Sequence, residues 1–165
     1  MSRRSSAGRP VDAARFRRAC SKFATGVAIA TVVSSDGQPH GMTVNSFTSV
    51  SLEPPLVLVC VDAGGNMAGL FAQASHYGVN VLRESQADLS NRFSQRGFDR
   101  FDSVAWTRGA AGVPMLDGAL ARFECAVRHR VVAGDHSILI AEVVAAEYED
   151  GAPLLYFDSG YRALP

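Results

Sequence analysis

The residues that could do chemistry crowd into one stretch, HGMTVNSFTSVSLEPP, from His40 to Pro55. It gathers Thr43, Asn45, Ser46, Thr48, Ser49 and Ser51 and closes on a double proline. Between the hydroxyls and the amide stand Met42, Val44, Phe47 and Val50. Alternation of this kind lets one side pack while the other presents small donors and acceptors. Such a surface, rich in neutral donors and poor in charge, suits a flat polar heterocycle with a phosphate tail. The run Leu56 to Val61 follows at once and reads as a buried strand.

Most other chemistries find no support. Lys22 is the only lysine, so Schiff-base chemistry has one candidate, on a helical pattern near the start. Cys20, Cys60 and Cys125 are dispersed and form no CxxC pair, which argues against a zinc ribbon or a dithiol motif. His40, His76 and His129 share no ligand spacing, so no metal site is expected. There is no Gly-x-Ser-x-Gly elbow, no P-loop ending and no Gly-x-Gly-x-x-Gly. A net charge of zero gives no electrostatic footprint for nucleic acid. No apolar run reaches membrane-spanning length, and the Arg/Ser-rich start lacks the apolar centre of a secretory signal. A cytoplasmic setting is the default expectation.

MTVNSFTSVSLEPPLVLVCVD resembles the signature of the flavin reductase-like family, the small reductases of two-component flavin monooxygenases. Tyr77 to Leu82, Leu89 to Phe93 and the turn Ala133-Gly134-Asp135-His136 match that family in order and spacing. The likeness runs from about Phe16 to Tyr161. It implies FMN or FAD and NADH or NADPH as ligands, and a diffusible reduced flavin delivered to a separate monooxygenase. It also implies a two-fold homodimer. Thr43, Val44, Asn45 and Ser46 are then expected at the pyrimidine edge of the flavin, where reduction places negative charge. Their alternative role is hydrogen bonding within the turn. Ser49 and Ser51 fall near the ribityl and phosphate side, or simply close the turn before Pro54. Gly64-Gly65-Asn66 suggests phosphate binding at a helix start. Met67 and Ala68 replace the Ser or Thr common there, which leaves Asn66 and backbone amides as donors. Arg92 is either a phosphate partner or a solvated helix arginine. Gly134 and Asp135 shape the turn that carries His136, which the resemblance puts beside the nicotinamide as an orienting residue. Tyr161 either stacks near the dinucleotide or packs. Asp158-Ser159 departs from the family's frequent Arg-Gly.

The elements that must position these residues are mostly strands. Residues 1–10 read as a disordered arm, and 11–165 as one domain. Asp12 caps a helix with an apolar stripe of Phe16, Ala19, Cys20 and Phe23. Val27 to Val33 is a strand, Asp36-Gly37 a hairpin signal, and a second strand carries the polar motif. A short helix near Met67 to Gln73, a strand Tyr77 to Leu82 and a helix Gln86 to Gln95 follow. Residues 98–112 are expected to be irregular. Ala121 to Val131 alternates as a strand with one wet face, Arg122, Glu124, Arg128 and Arg130, and Ile138 to Tyr148 returns beside it. Many strands with short helices argue an antiparallel barrel. The resemblance implies a six-stranded, Greek-key-type FMN-binding split barrel with short flanking helices. Two rivals remain: a flavin-holding electron carrier or sensor that releases nothing, and an oxidase of the pyridoxamine phosphate type, against which the single lysine speaks.

Overall fold

The computed structural model of the chain describes residues 11–96 and 100–164. The arm expected over 1–10 lies outside them. The elements in chain order are α1 (Ala13–Cys20), β1 (Thr25–Gly26), β2 (Ala28–Val33), β3 (Pro39–Val44), β4 (Thr48–Leu52) and β5 (Pro55–Asp62). Then come α2 (Ala68–Gln73), β6 (His76–Val81), a 3-10 turn (Glu84–Gln86) and α3 (Ala87–Ser94). The chain continues through β7 (Trp106–Arg108), β8 (Pro114–Leu116), β9 (Ala121–Ala133), β10 (His136–Tyr148), β11 (Leu155–Phe157) and β12 (Gly160–Arg162).

The main sheet is antiparallel, with seven strands in the order β3-β2-β6-β9-β10-β5-β4. Six strands were expected. The extra one arises because the polar motif is two strands, β3 and β4, lying at opposite edges. Laid flat, the two edges of such a sheet would stand about 29 Å apart at ~4.8 Å per strand. Residues 45–47, which join them, reach at most about 14 Å even when extended. The sheet must therefore curl until its edges approach. This is a split barrel, and Asn45-Ser46-Phe47 crosses the split.

β2 reads as an apolar run broken only by Thr31 because it is buried on both sides. Ala28, Ala30 and Val32 face one core with Val59, Tyr77, Val79 and Leu139. Val27 and Ile29 face a second, with Phe93, Phe101, Leu116 and Leu154. Asn80, fully buried, ties β6 to its surroundings: its amide donates to the Ile29 carbonyl at 3.2 Å and accepts from the Leu116 N–H at 2.7 Å.

β9 departs from the expected alternation. Its register against β10 slips between Ile140 and Ala141 and again between Val143 and Ala145, so Arg128 and Val144 are extra residues. Glu124, expected on the wet face, is buried and accepts from the N–H groups of Ala110 and Ala111 at 3.0 and 2.6 Å. Asp12 does cap α1, accepting from the Arg15 N–H at 2.8 Å. The stripe it was expected to bury stays open, with Phe16 61% and Phe23 77% exposed.

Candidate functional site

β3 is the spine of the site. Its Gly41 lets α3 lie close against it: a Cβ there would stand 2.9 Å from Phe93 Cε1 and 3.1 Å from the Ala30 carbonyl oxygen. Further along β3 lies a cleft of about 600 Å3. Thr43, Val44 and Asn45 form one wall, Ser90 and Asn91 another, and Tyr161 of the C-terminal hairpin closes the third. Thr43 Oγ1 donates to the Ser90 carbonyl at 2.6 Å. The Tyr161 hydroxyl lies 2.7 Å from Ser90 Oγ and 3.1 Å from Asn91 Oδ1. Its ring meets Tyr156 edge-on, with centroids 5.9 Å apart. Among the described residues, no charged side chain lines this cleft. It offers hydroxyls, amides and aromatic edges, which fit the neutral polar rim of a heterocycle.

A second cleft, of about 610 Å3, opens beside the first half of β3. His40, Asn66, Met67, Arg100 and Trp106 are among its walls. Arg100 is buried, and its Nη1 donates to the Gly41 carbonyl at 2.5 Å. Arg92 lines neither cleft. Its Nε–H donates to the Arg100 carbonyl at 2.9 Å, and its Nη2 donates to the Asp102 carbonyl. Arg92 therefore braces the segment that carries Arg100. Asn66 stands where a ligand could meet it, but the amides before it are engaged. The Gly64 N–H is taken by the Asp62 carboxylate at 2.9 Å and the Gly65 N–H by the Asp62 carbonyl at 3.1 Å.

The turn between β9 and β10 has Gly134 at φ +62°, which glycine adopts without strain. Asp135 Oδ1 lies 2.8 Å from His136 Nδ1, and this bond holds the Asp135 carboxyl below the usual carboxylate range. The Asp135 carbonyl accepts from the Ala63 N–H at 2.9 Å, and His136 lies opposite Asp62 of β5. The GDH turn and the turn leading to Asn66 thus sit side by side. His136 lines neither cleft.

Ser46 is engaged within the barrel. Its Oγ accepts from the Cys60 N–H at 2.9 Å and donates weakly to the Cys60 carbonyl at 3.4 Å, filling a gap in the ladder beyond β4. Ser49 and Ser51 lie on β4 opposite Val57 and Leu56 and line neither cleft. The sequence thus nominated Thr43, Val44, Asn45 and Tyr161, which the structure gathers, and Asn66, which it places in the neighbouring cleft. It passed over Ser90, Asn91, Tyr156 and Arg100. Ser90 had a usable signal, since it precedes the apolar Phe93 by three residues and so shares its buried helix face.

Comparison with known proteins identifies the family. The model of the Flavin reductase like domain matches residues 20–165. The flavin reductase of styrene monooxygenase from Pseudomonas putida superposes with a TM-score of 0.84 at 45% identity, over 91% of this chain and 97% of that one. The NADH:FAD oxidoreductase of Streptomyces globisporus, solved with NAD and FAD fragments, gives a TM-score of 0.89 at 37% identity over 93% of each chain. A Streptomyces coelicolor protein named actinorhodin polyketide dimerase is 42% identical over 154 residues, covering 93% of this chain and 87% of its own. Together with the split barrel and the hydroxyl-lined cleft on β3, these matches show that the chain belongs to the flavin reductase-like family.

Proposed function

We propose that this protein is an NADH-dependent flavin reductase that takes up free FMN or FAD, reduces it by hydride transfer and releases it to a separate monooxygenase component. The observation that carries the reading is the uncharged Thr43–Asn45 cleft, walled by Ser90, Asn91 and Tyr161. Its size lies within the usual range for small-molecule sites. When bound, flavin supplies a ring nitrogen that accepts a hydride from reduced nicotinamide.

The chain's part is to hold and align. Asn45 and the neighbouring backbone meet the polar edge of the heterocycle. Thr43 and Tyr161, both fixed on Ser90, hold the walls in register. Such preset donors favour the charge that develops on reduction, because they need not reorganise. His136, braced by Asp135, orients the nicotinamide; hydride transfer needs alignment more than acid–base help. A cleft lined, among the described residues, by neutral groups makes few charge-assisted bonds, which suits release of the product.

The homodimer is part of the proposal. It is supported by apolar side chains left open on two regions: Phe16 and Phe23 near α1, and Val50 and Leu52 on the edge strand β4. Three free cysteines fit a reducing, cytoplasmic setting. No helix among the described residues is long and apolar enough to cross a membrane.

The test mixes purified protein with NADH, with and without added FMN or FAD. NADH is expected to be oxidised only when flavin is added, and chelators to leave the rate unchanged. A protein that stays yellow through desalting and reduces no added flavin is a carrier instead. One that leaves NADH untouched with either flavin is not a reductase.

A further inference from the structure

Among the described residues, one buried side-chain oxygen has no hydrogen-bond partner, Thr25 Oγ1. Thr31, also buried, makes the contrast: its hydroxyl donates to the Pro114 carbonyl at 2.6 Å. A buried hydroxyl left unpaired costs stability, and valine would fill the same space on a strand without that cost. Across the three-stranded sheet β1-β11-β12, Thr25 lies opposite Tyr156, and Tyr156 opposite Tyr161. Directly paired residues share a face of a sheet. The row Thr25-Tyr156-Tyr161 therefore faces one way, and its two tyrosines line the neutral cleft. Along the chain, Val27 stands two residues on, and alternation gives it the same side as Thr25. Its N–H continues the pairing by donating to the Leu154 carbonyl at 3.1 Å, and it lines the cleft too. Thr25 is thus bordered by cleft residues both along and across the sheet, while its own hydroxyl is covered.

We propose that Thr25 is a further binding residue of the neutral cleft, whose hydroxyl is kept for the polar edge of the bound molecule. The inference rests on the flavin reductase reading and adds a residue to its site. The chemistry it fits is an amide-type edge, with a carbonyl and an N–H side by side, because a hydroxyl donates to one and accepts from the other. The pyrimidine side of a flavin and the carboxamide of nicotinamide both carry such an edge. Tyr156, half-buried, is the neighbour that moves. A shift of its ring against Tyr161, with centroids now 5.9 Å apart, opens the hydroxyl to the cleft. The bond then forms only in the bound state, so filling the cleft removes a cost that the free protein carries.

The experiment compares wild type with Thr25→Val, which removes the hydroxyl at nearly constant shape, and with Thr25→Ser, which keeps it. Tm is measured without ligands. Flavin binding is titrated by quenching of FMN fluorescence with no NADH present, and KM for NADH is measured at saturating FMN. Thr25→Val should melt at or above wild type, because the hydroxyl is idle in the free protein. If the hydroxyl meets the flavin, Kd for FMN rises roughly 2- to 10-fold in Thr25→Val while KM for NADH stays constant. If it meets nicotinamide, KM for NADH rises by a similar factor and the FMN titration is unchanged. In either case kcat stays near wild type, and Thr25→Ser binds as wild type does. The proposal is overturned if Thr25→Val binds both ligands as wild type does, or if Thr25→Ser loses as much as Thr25→Val. It is equally overturned if Thr25→Val melts below wild type or fails to fold, since the hydroxyl then has a task in the free protein. Wild type that binds FMN but oxidises no NADH defeats the reductase reading instead, and the FMN titration alone then decides on Thr25.

Discussion

The two clefts along β3 are nearly equal in size and opposite in chemistry. The one at Thr43 is lined by hydroxyls, amides and tyrosine rings, without a charged side chain among the described residues. The one at His40 holds a buried arginine beneath an exposed asparagine. A ligand with a neutral ring and an anionic tail needs both kinds of surface. Placing them on one strand fixes their separation by the rise of the backbone rather than by side-chain rotamers. The division also explains how a loosely held ring can be combined with a defined orientation. Charge-assisted bonds are roughly twice as strong as neutral ones, so a single anchored end can set the register for the rest.

Gly41 lines the second cleft two residues before Thr43 of the first, and its substitution should have the largest effect. Its carbonyl accepts from Arg100, and its α-carbon faces Phe93. Phe93 is fully buried and held edge-on against Phe101, centroids 5.0 Å apart, so it has little room to retreat. Gly41→Ala is expected to destabilise the protein by about 1–3 kcal/mol through overpacking. That should lower Tm by roughly 3–10 °C. Displacing α3 disturbs the Thr43 cleft, and tilting β3 disturbs Arg100, so KM should rise for flavin and NADH together. A rise confined to one substrate would show that the clefts are mechanically independent.

Tyr161→Phe separates the clefts. It removes the hydroxyl bonded to Ser90 and Asn91 while leaving the ring against Tyr156. One lost bond to a partly buried partner costs about 0.5–1.5 kcal/mol, or roughly 2- to 10-fold in affinity. That loss should appear with FMN and riboflavin alike, leaving their ratio unchanged. A changed ratio would place part of the phosphate recognition at Tyr161 and blur the distinction between the clefts.

How much of this was readable beforehand follows from which interactions are local. Thr43, Asn45 and their alternating apolar neighbours announced a surface presented by a strand, because a strand's two faces are written in consecutive residues. That the motif splits into β3 and β4 at opposite edges was not readable, since it depends on pairing with β2 and β5. For this reason Ser46 was nominated with Thr43 at the pyrimidine edge, and Ser49 and Ser51 for the ribityl and phosphate side. The fold class followed from strand count and hairpin turns, but β9 misled. Glu124 keeps the face of Arg122, but residues 109–111 cover it there, and nothing in the alternation of residues 121–131 marks that cover. The choice between Arg92 and Arg100 was likewise non-local. Both lie in arginine-bearing polar stretches, and only the packing of residues 100–102 against β3 and α3 makes one a brace and the other a buried cation.

The smallest expected effect comes from the rim of the Thr43 cleft. Asp158 and Ser159, at the turn between β11 and β12, take φ values of 50° and 60°, a region most side chains avoid. Lys22 Nζ lies 2.6 Å from Asp158 Oδ1, and the Asp158 N–H donates to the Ser21 carbonyl at 2.8 Å. Hydrogen bonding and charge from Lys22 hold the Asp158 carboxyl below its ordinary value. The pair therefore contributes at neutral pH and is lost as pH falls through that lowered value. Both side chains are well exposed, 62% and 47%, so solvent screens the attraction. The backbone bond to Ser21 survives without the lysine. Lys22→Ala should thus change Tm by less than about 2 °C at pH 7, and by less still in high salt or in acid. KM values for flavin and NADH should stay within about twofold of wild type. A large rise in either KM, with Tm unchanged, would show that the rim is held to the cleft by this ion pair. The neutral cleft would then depend on a charge after all, and the contrast with its neighbour would narrow.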